Sequence, residues 1–316
     1  MLFLTYAGAQ GPRLGVLVDE LVYDLPALYR RLVRQEGKTP QGAIPTDLVS
    51  FIERSSVVLV RRLLALVRAL PPASRRALAR PLRAVTLMAP IPRPRKNIFC
   101  VGRNYPAHIR EAAVPPPQQP VWFTKPPTAV IGPFAPILYP AATRALDYEV
   151  ELVVVIGRRG RNIPREHALE YVFGYTVMND VTARDLQRER GQWFKGKSLD
   201  TFAPLGPWVV HRSALPQPQR LMVRARVNGE LRQEASTAEM IFPLEALIAD
   251  LSRGMTLEPG DLIATGTPGG VGMGFQPPRY LQVGDVVEVE VEGIGVLRNP
   301  VQAAPGQAER MVREKL

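Results

Sequence analysis

The sequence has very little cysteine and no long uninterrupted hydrophobic run. Cys100 is the one cysteine in 316 residues, which excludes an intramolecular disulfide and a cysteine-only metal cluster. A reducing, cytoplasmic setting is therefore predicted. The longest apolar stretch, SSVVLVRRLLALVRAL, is interrupted by Arg61, Arg62 and Arg68, so it is too short for a membrane span. The first residues carry no basic leader, and no signal peptide is expected.

Acidic residues are fewer than basic ones, and their deficit is uneven. The net charge is +11, and between Arg30 and Lys96 the acids are only Glu36, Asp47 and Glu53. Such a basic arm can hold polyanions by releasing counterions. However, the sequence has no zinc-finger spacing, no RNP motif and no evident helix-turn-helix, so a solvated basic surface is favoured over nucleic-acid binding. With 46% hydrophobic residues, the chain can bury a large core, which excludes disorder.

The hydrophobic pattern predicts a β-rich α+β fold. Two short strands, a helix over 25–33 and an amphipathic stretch over 46–70 precede a proline-rich linker, and these form a small N-terminal α/β domain over 1–90. From residue 91 to 303 strands bounded by turn residues outnumber the helices, which argues against a doubly wound parallel sheet. Residues 304–316 are expected to form a loosely held tail.

Three carboxylates are candidates for a metal site. Glu149 and Glu151 lie two residues apart in DYEVELVVVIG, so on a strand they share a face. Asp180 directly follows the apolar segment VFGYTVMN. If these segments meet, three oxygens converge, which suits Mg²⁺ or Mn²⁺, with Ca²⁺ as a third candidate, rather than Zn²⁺. The competing interpretations are a solvent-facing strand edge for the glutamates and a helix N-cap for Asp180.

Further polar residues are spaced so that they can act on a chelated substrate. His108 and Glu111 are three apart, so on a helix the carboxylate can orient the imidazole; an ordinary surface histidine is the alternative. If one helix includes Asp180, then Arg184 and Gln187 project along its face, and the arginine can grip a carboxylate. The alternative is an exposed charged face. Lys195 and Lys197 flank a glycine, and either can stabilise an oxyanion.

Taken together, the segments resemble the fumarylacetoacetate hydrolase family. The matching pieces follow the family's order over nearly all of residues 97–300: CVGRNYPAHIREA, FTKPPTAVIGP, DYEVELVVVIGRRGRNIP, YVFGYTVMNDVTARDLQ, KGKSLDTFAPLGPWVV, MTLEPGDLIATGTPGGVG and LQVGDVVEVEVEGIGVLRNP. Fumarylacetoacetase itself carries a further metal-binding aspartate just before the histidine, and CVGRNYPAH has none. The chain therefore resembles the smaller branch of acylpyruvases and 2-hydroxyhepta-2,4-diene-1,7-dioate isomerases.

The resemblance implies a mixed β-sandwich or β-roll catalytic domain, a homodimer, and a role in the breakdown of aromatic compounds. It implies metal ligation by Glu149, Glu151 and Asp180, with Mg²⁺ or Mn²⁺ as the ion. It also implies catalytic roles for His108, Glu111 and Lys197, and substrate contacts for Arg184, Gln187 and Thr267.

These residues predict metal-dependent hydrolysis of a C–C bond in a β-diketo or 2-oxo acid, with enolate charge held by the metal and Lys197. The alternative is an isomerase or decarboxylase acting on 2-hydroxyhepta-2,4-dienedioate or oxaloacetate, because that chemistry uses the same intermediate. An alternative of another class is a catalytically inert family member that binds nucleic acid through its basic N-terminal arm.

Overall fold

The structure, a computed structural model, describes residues 1–35, 43–54, 56–189 and 191–305. Most of the predicted C-terminal tail lies outside the described residues. Within the described ranges, no helix combines the length and the apolar character needed to cross a membrane.

The N-terminal part begins with an antiparallel strand set, continues with helices and ends with short strands. The strands are β1 (Leu2–Gly8), β2 (Gly11–Val18), β3 (Leu21–Asp24), β4 (Arg80–Pro81) and β5 (Leu87–Met88), and the helices are α1 (Leu25–Gln35), α2 (Leu48–Arg54), α3 (Val57–Ala69) and α4 (Pro72–Ala77). The amphipathic stretch over 46–70 is two helices and not one, because Ser56 accepts a hydrogen bond from the Val58 N–H and so caps a new helix.

The rest of the chain is mostly strand, as the sequence predicts. Its strands are β6 (Ile98–Gly102), β7 (Val121–Lys125), β8 (Val130–Ile131), β9 (Ile137–Tyr139), β10 (Leu146–Asp147), β11 (Val150–Ile156), β12 (Gly160–Arg161), β13 (Val172–Asn179), β14 (Thr182–Ala183), β15 (Ala203–His211), β16 (Met222–Val227), β17 (Glu230–Ser236), β18 (Thr256–Leu257), β19 (Leu262–Ala264), β20 (Val286–Val291) and β21 (Gly295–Ala303). Its α-helices are α5 (Pro106–Glu111), α6 (Arg184–Glu189), α7 (Phe194–Lys197) and α8 (Leu244–Ser252).

The described strands form two large sheets and two small strand pairs. The larger sheet has the order β4-β3-β2-β1-β15-β13-β11-β19-β6-β7, and the smaller one has the order β17-β16-β20-β21-β9. Strand β1 pairs antiparallel with β15 through Leu2 and Val210, so the N-terminal hairpin continues the larger sheet. The division into domains near residue 90 stays a prediction.

The central strand β11 is buried on both faces. Val150, Leu152 and Val154 belong to a core that the five-stranded sheet completes. Val153 and Val155, on the opposite face, belong to a second core that includes side chains of α1, α2 and α3. This burial explains why β11 is a nearly continuous run of valine, leucine and isoleucine. The β-rich α+β class predicted from the sequence is confirmed.

We predict that Phe51→Ala lowers the free energy of unfolding by about 3–5 kcal/mol. Phe51 is fully buried on α2, and its ring lies 5.3 Å from that of Phe3 on β1, so truncation leaves a cavity between the N-terminal helices and the larger sheet. Val58→Ala, at a side chain that is 70% exposed, is the control and is expected to change stability by less than about 0.5 kcal/mol. Chemical denaturation measures both; equal effects would contradict this packing.

Candidate functional site

Three buried carboxylates converge where β11 begins and β13 ends. The antiparallel register pairs Val150 with Asn179, so the residue before β11 lies beside the residue after β13. The Asp180 N–H donates to the Glu149 carbonyl oxygen at 2.8 Å, and one carboxylate oxygen from each of Glu149, Glu151 and Asp180 lies within 4.8 Å of the others. All three residues are at most 3% exposed. The structure therefore brings together the carboxylates that the sequence singled out.

Two buried lysines bind this carboxylate cluster. Lys197 Nζ, on α7, donates to Glu149 Oε2 and to Asp180 Oδ2, both at 2.7 Å. Lys125 Nζ, at the end of β7, donates to Asp180 Oδ1 at 2.5 Å and to the Val181 carbonyl oxygen at 3.0 Å. Asp180 thus lies between two ammonium groups. Lys195, the other lysine flanking Gly196, is exposed and outside the cluster.

Arg184 is the third buried cation. Its Nη2 lies 2.6 Å from Glu149 Oε1, and its Nε donates to Asp147 Oδ2 at 2.8 Å. Its Nη1 donates to Gln187 Oε1 at 3.2 Å. The guanidinium is 1% exposed, and two carboxylates already balance its charge.

These contacts set the ionisation of the cluster. Burial opposes ionisation of Glu149, but Lys197 and Arg184 outweigh it and lower the pKa of Glu149 to about 2. Burial also works against the charge of Lys197, yet Asp180 and Glu149 hold its pKa above the usual value. For Lys125 burial prevails, and its pKa is lowered despite Asp180.

Glu151 is the carboxylate without a cationic partner. It accepts a hydrogen bond from the Gly266 N–H at 2.9 Å, and no ion pair joins it to a lysine or arginine among the described residues. Burial, and then the like charges of Asp180 and Glu149, raise its pKa well above the usual range. Four buried carboxylates, including Asp147, therefore face three buried cations.

The cluster fits a divalent cation. Its three convergent donors are all carboxylate oxygens, which suit Mg²⁺, Mn²⁺ or Ca²⁺. A dication between them would give Glu151 the counter-charge that it lacks and would remove the repulsion among like charges. Glu149, Glu151 and Asp180 are the residues that would hold it.

The glycine-rich turn, residues 264–274 with the sequence ATGTPGGVGMG, contacts Asp147 next to the cluster. Asp147 Oδ1 accepts from the Gly272 N–H at 2.7 Å, and Oδ2 accepts from the Met273 N–H at 3.0 Å. A Cβ at Gly272 would lie 2.6 Å from Asp147 Oδ1, so only glycine allows this approach. Since Asp147 also binds Arg184, this carboxylate joins the turn to the arginine.

His108 and Glu111 lie on helix α5, as the sequence predicts. His108 Nδ1 lies 3.7 Å from Glu111 Oε2 and has no hydrogen-bond partner among the described residues. Glu111 Oε1 accepts from the Gly270 N–H at 2.6 Å, which ties α5 to the glycine-rich turn. The imidazole is therefore buried, with Glu111 as the carboxylate near its Nδ1.

A cavity of about 290 Å³ connects these groups. All of the site residues that the family resemblance implies, except Asp180, line it. An aromatic wall and two further arginines also line it: Phe123, Trp193, Arg103 and Arg188. Thr267 is 3% exposed, and its hydroxyl accepts a hydrogen bond from Gln233 Nε2 at 2.8 Å.

The predicted helical stripe from Asp180 to Gln187 is wrong in one respect. Helix α6 begins only at Arg184, because Thr182–Ala183 forms β14 and pairs with Leu146–Asp147. Asp180 is therefore held at the end of a strand, and it is not the N-cap of this helix. Arg184 and Gln187 still share the cavity with the carboxylates, because the β10–β14 pair directs the start of α6 there.

Sequence reasoning missed three buried residues that hold the site. Lys125 ends a strand whose pattern looked ordinary, and Asp147 precedes the conspicuous glutamates. Gln233, from the smaller sheet, accepts from the Val150 N–H at 3.0 Å and donates to Thr267. A charged residue at the end of an apolar strand was the available signal for Lys125; Gln233 had none.

The chain belongs to the fumarylacetoacetate hydrolase family. Residues 97–302 match the family described as "Fumarylacetoacetate (FAA) hydrolase C-terminal". The oxaloacetate tautomerase YisK of Bacillus subtilis is 45% identical over 290 residues, which cover 90% of this chain and 94% of that protein.

Two solved structures share the fold. A fumarylacetoacetate hydrolase from Exiguobacterium antarcticum has 42% identity and a TM-score of 0.77, with 96% of this chain and 100% of that chain covered. A maleylpyruvate hydrolase from Sphingobium sp. SYK-6, in complex with manganese(II) and pyruvate, has 30% identity and a TM-score of 0.72, with the same coverage.

We predict that Asp147→Asn lowers the free energy of unfolding by about 3 kcal/mol, because it leaves the buried Arg184 with one carboxylate fewer. The KM for substrate should also rise, since asparagine keeps only one acceptor oxygen and can no longer bind Arg184 and both N–H groups of the glycine-rich turn. Glu234→Gln, which removes an exposed ion pair with Arg224, is the control and should cost less than about 1 kcal/mol. Denaturation and steady-state kinetics measure the two effects; an unchanged KM would contradict the positioning role.

Proposed function

We propose that the protein is a divalent-metal-dependent tautomerase of a 2-oxo acid of the oxaloacetate type. The observation that carries this proposal is the cavity that Lys197 and His108 line together with the carboxylates of Glu149 and Glu151. The similarity to YisK over nearly the whole of both chains supports it. The hydrolysis expected from the sequence ranks second, and it is favoured by the likeness to the maleylpyruvate hydrolase.

The reaction moves one proton between carbon and oxygen. The C3–H bond of the keto acid breaks and its electron pair becomes the C2–C3 double bond, while the carbonyl oxygen gains charge and then a proton. A bound Mg²⁺ or Mn²⁺ would supply Lewis acidity to the 2-oxo group. Lys197 Nζ, already a donor to two carboxylates, places positive charge beside the oxygen that becomes negative.

We assign the transfer of this proton to His108. Its imidazole is buried, lines the cavity and has an unpartnered Nδ1, so a ring nitrogen can accept the C3 proton and return it to oxygen. Glu111 stands 3.7 Å from Nδ1 and can stabilise the imidazolium that forms. The same pair can activate water, which is why a hydrolase is the second candidate.

We predict that metal-stripped protein loses tautomerase activity and that Mg²⁺ or Mn²⁺ restores it. Asp180→Asn should abolish calorimetrically detectable Mn²⁺ binding, because it removes one of three converging carboxylates. Asp200→Asn, at an exposed carboxylate, is the matched control and should bind Mn²⁺ as the wild type does. Full activity after exhaustive metal removal would contradict the metal assignment.

We predict that His108→Asn lowers turnover by about 10²–10⁴-fold, because general acid–base catalysis typically contributes that much. Its Mn²⁺ affinity should be unchanged, since His108 is not among the converging carboxylates. The decay of enol absorbance measures oxaloacetate tautomerisation, and release of pyruvate from an acylpyruvate measures hydrolysis. Turnover of the acylpyruvate without any tautomerisation would favour the hydrolase instead.

A further inference from the structure

Two arginines that line the cavity do not pair with the carboxylate cluster. Arg103 and Arg188 both line it, and neither forms an ion pair with a carboxylate of the described residues. Arg184, by contrast, is already balanced by Asp147 and Glu149. An additional anionic group of a bound molecule would therefore be attracted to the two unpaired arginines more than to Arg184.

Arg103 is held in place, whereas Arg188 is exposed. The Arg103 guanidinium carbon lies 5.3 Å from the centroid of the Trp193 ring, which restricts the side chain by a cation–π contact. Trp193 in turn packs on the backbone of Gly102, where a Cβ would lie 2.2 Å from the ring. Arg103 also has a φ of +59°, a left-handed conformation that non-glycine residues seldom adopt and that is enriched at functional sites.

An apolar wall leads from the carboxylate cluster to Arg103. Lys197 Nζ lies 5.0 Å from the Phe123 ring centroid, and the Phe123 and Trp193 centroids are 5.5 Å apart in an edge-on arrangement. The Arg103 guanidinium in turn lies over the Trp193 ring. Phe123 and Trp193 thus connect the lysine end of the cavity with the Arg103 guanidinium.

Resting on the proposed function, in which the substrate is a dicarboxylic 2-oxo acid, we propose that Arg103 binds its second carboxylate. A guanidinium can grip a carboxylate with two parallel hydrogen bonds, and it would select against analogues that lack this charge. Arg103 is then the residue that determines specificity, and the aromatic wall sets the spacing between the two ends of the substrate.

The test compares oxaloacetate with its 4-ethyl ester, which keeps the 2-oxo acid and removes the second charge. Wild-type protein loaded with Mn²⁺ should prefer the diacid. In Arg103→Gln, kcat/KM for oxaloacetate should fall by about 10- to 100-fold, the usual effect of losing a hydrogen bond to a charged group, while that for the ester should hardly change. Arg110→Gln, at an exposed residue of α5 outside the cavity lining, is the control and should keep the preference.

Calorimetric dissociation constants of both compounds are measured in parallel. No turnover by the wild type, together with tighter binding of the diacid that disappears in Arg103→Gln, would refute the proposed function but support the carboxylate site. Turnover with equal losses for diacid and ester in Arg103→Gln would refute the site alone. A loss of preference in Arg188→Gln but not in Arg103→Gln would also overturn the assignment to Arg103.

Discussion

The structure of the site depends on how the negative charge of buried carboxylates is balanced. Glu149, Glu151 and Asp180 each place a carboxylate oxygen within 4.8 Å of the others, and all three are almost fully buried, so like charges repel strongly there. Lys125, Arg184 and Lys197 compensate for most of this charge through direct ion pairs. Among the described residues of the cluster, Glu151 alone stays without a cation, and that deficit leaves room for the charge of a divalent ion, which the three carboxylates could hold.

The topology of the larger sheet produces this arrangement. Antiparallel pairing of β11 with β13 brings Glu149 and Asp180 to adjacent strand ends, and the full burial of β11 between two cores fixes the register. A one-residue slip would exchange the side chains of β11 between the two cores and turn Glu151 to the other face of the sheet. The same packing that stabilises the fold therefore holds the three carboxylates together, while the glycine-rich turn and α5 bring Thr267, His108 and Glu111 to the cavity.

The sequence predicted what depends on local pattern and missed what depends on distant pairing. Alternation along β11 placed Glu149 and Glu151 on one face, and spacing placed His108 near Glu111. The approach of Asp180 could be stated only as a condition, because the register of two strands is not encoded in either strand alone. The helical stripe from Asp180 failed for the same reason: β14 pairs with β10, a contact that helix periodicity does not reveal. In the sequence, Lys125 and Asp147 resemble ordinary charged residues at strand ends, because their burial depends on packing against distant segments.

The most direct test of this account is the anomalous diffraction of a crystal grown with Mn²⁺. The account predicts one strong peak coordinated by oxygens of Glu149, Glu151 and Asp180 at roughly 2.0–2.6 Å, the range for hard cations and oxygen ligands. Lys197 should remain beside it. A crystal grown at millimolar Mn²⁺ that shows no peak between the three carboxylates, with Lys125, Arg184 and Lys197 forming all of their ion pairs, would contradict the central claim.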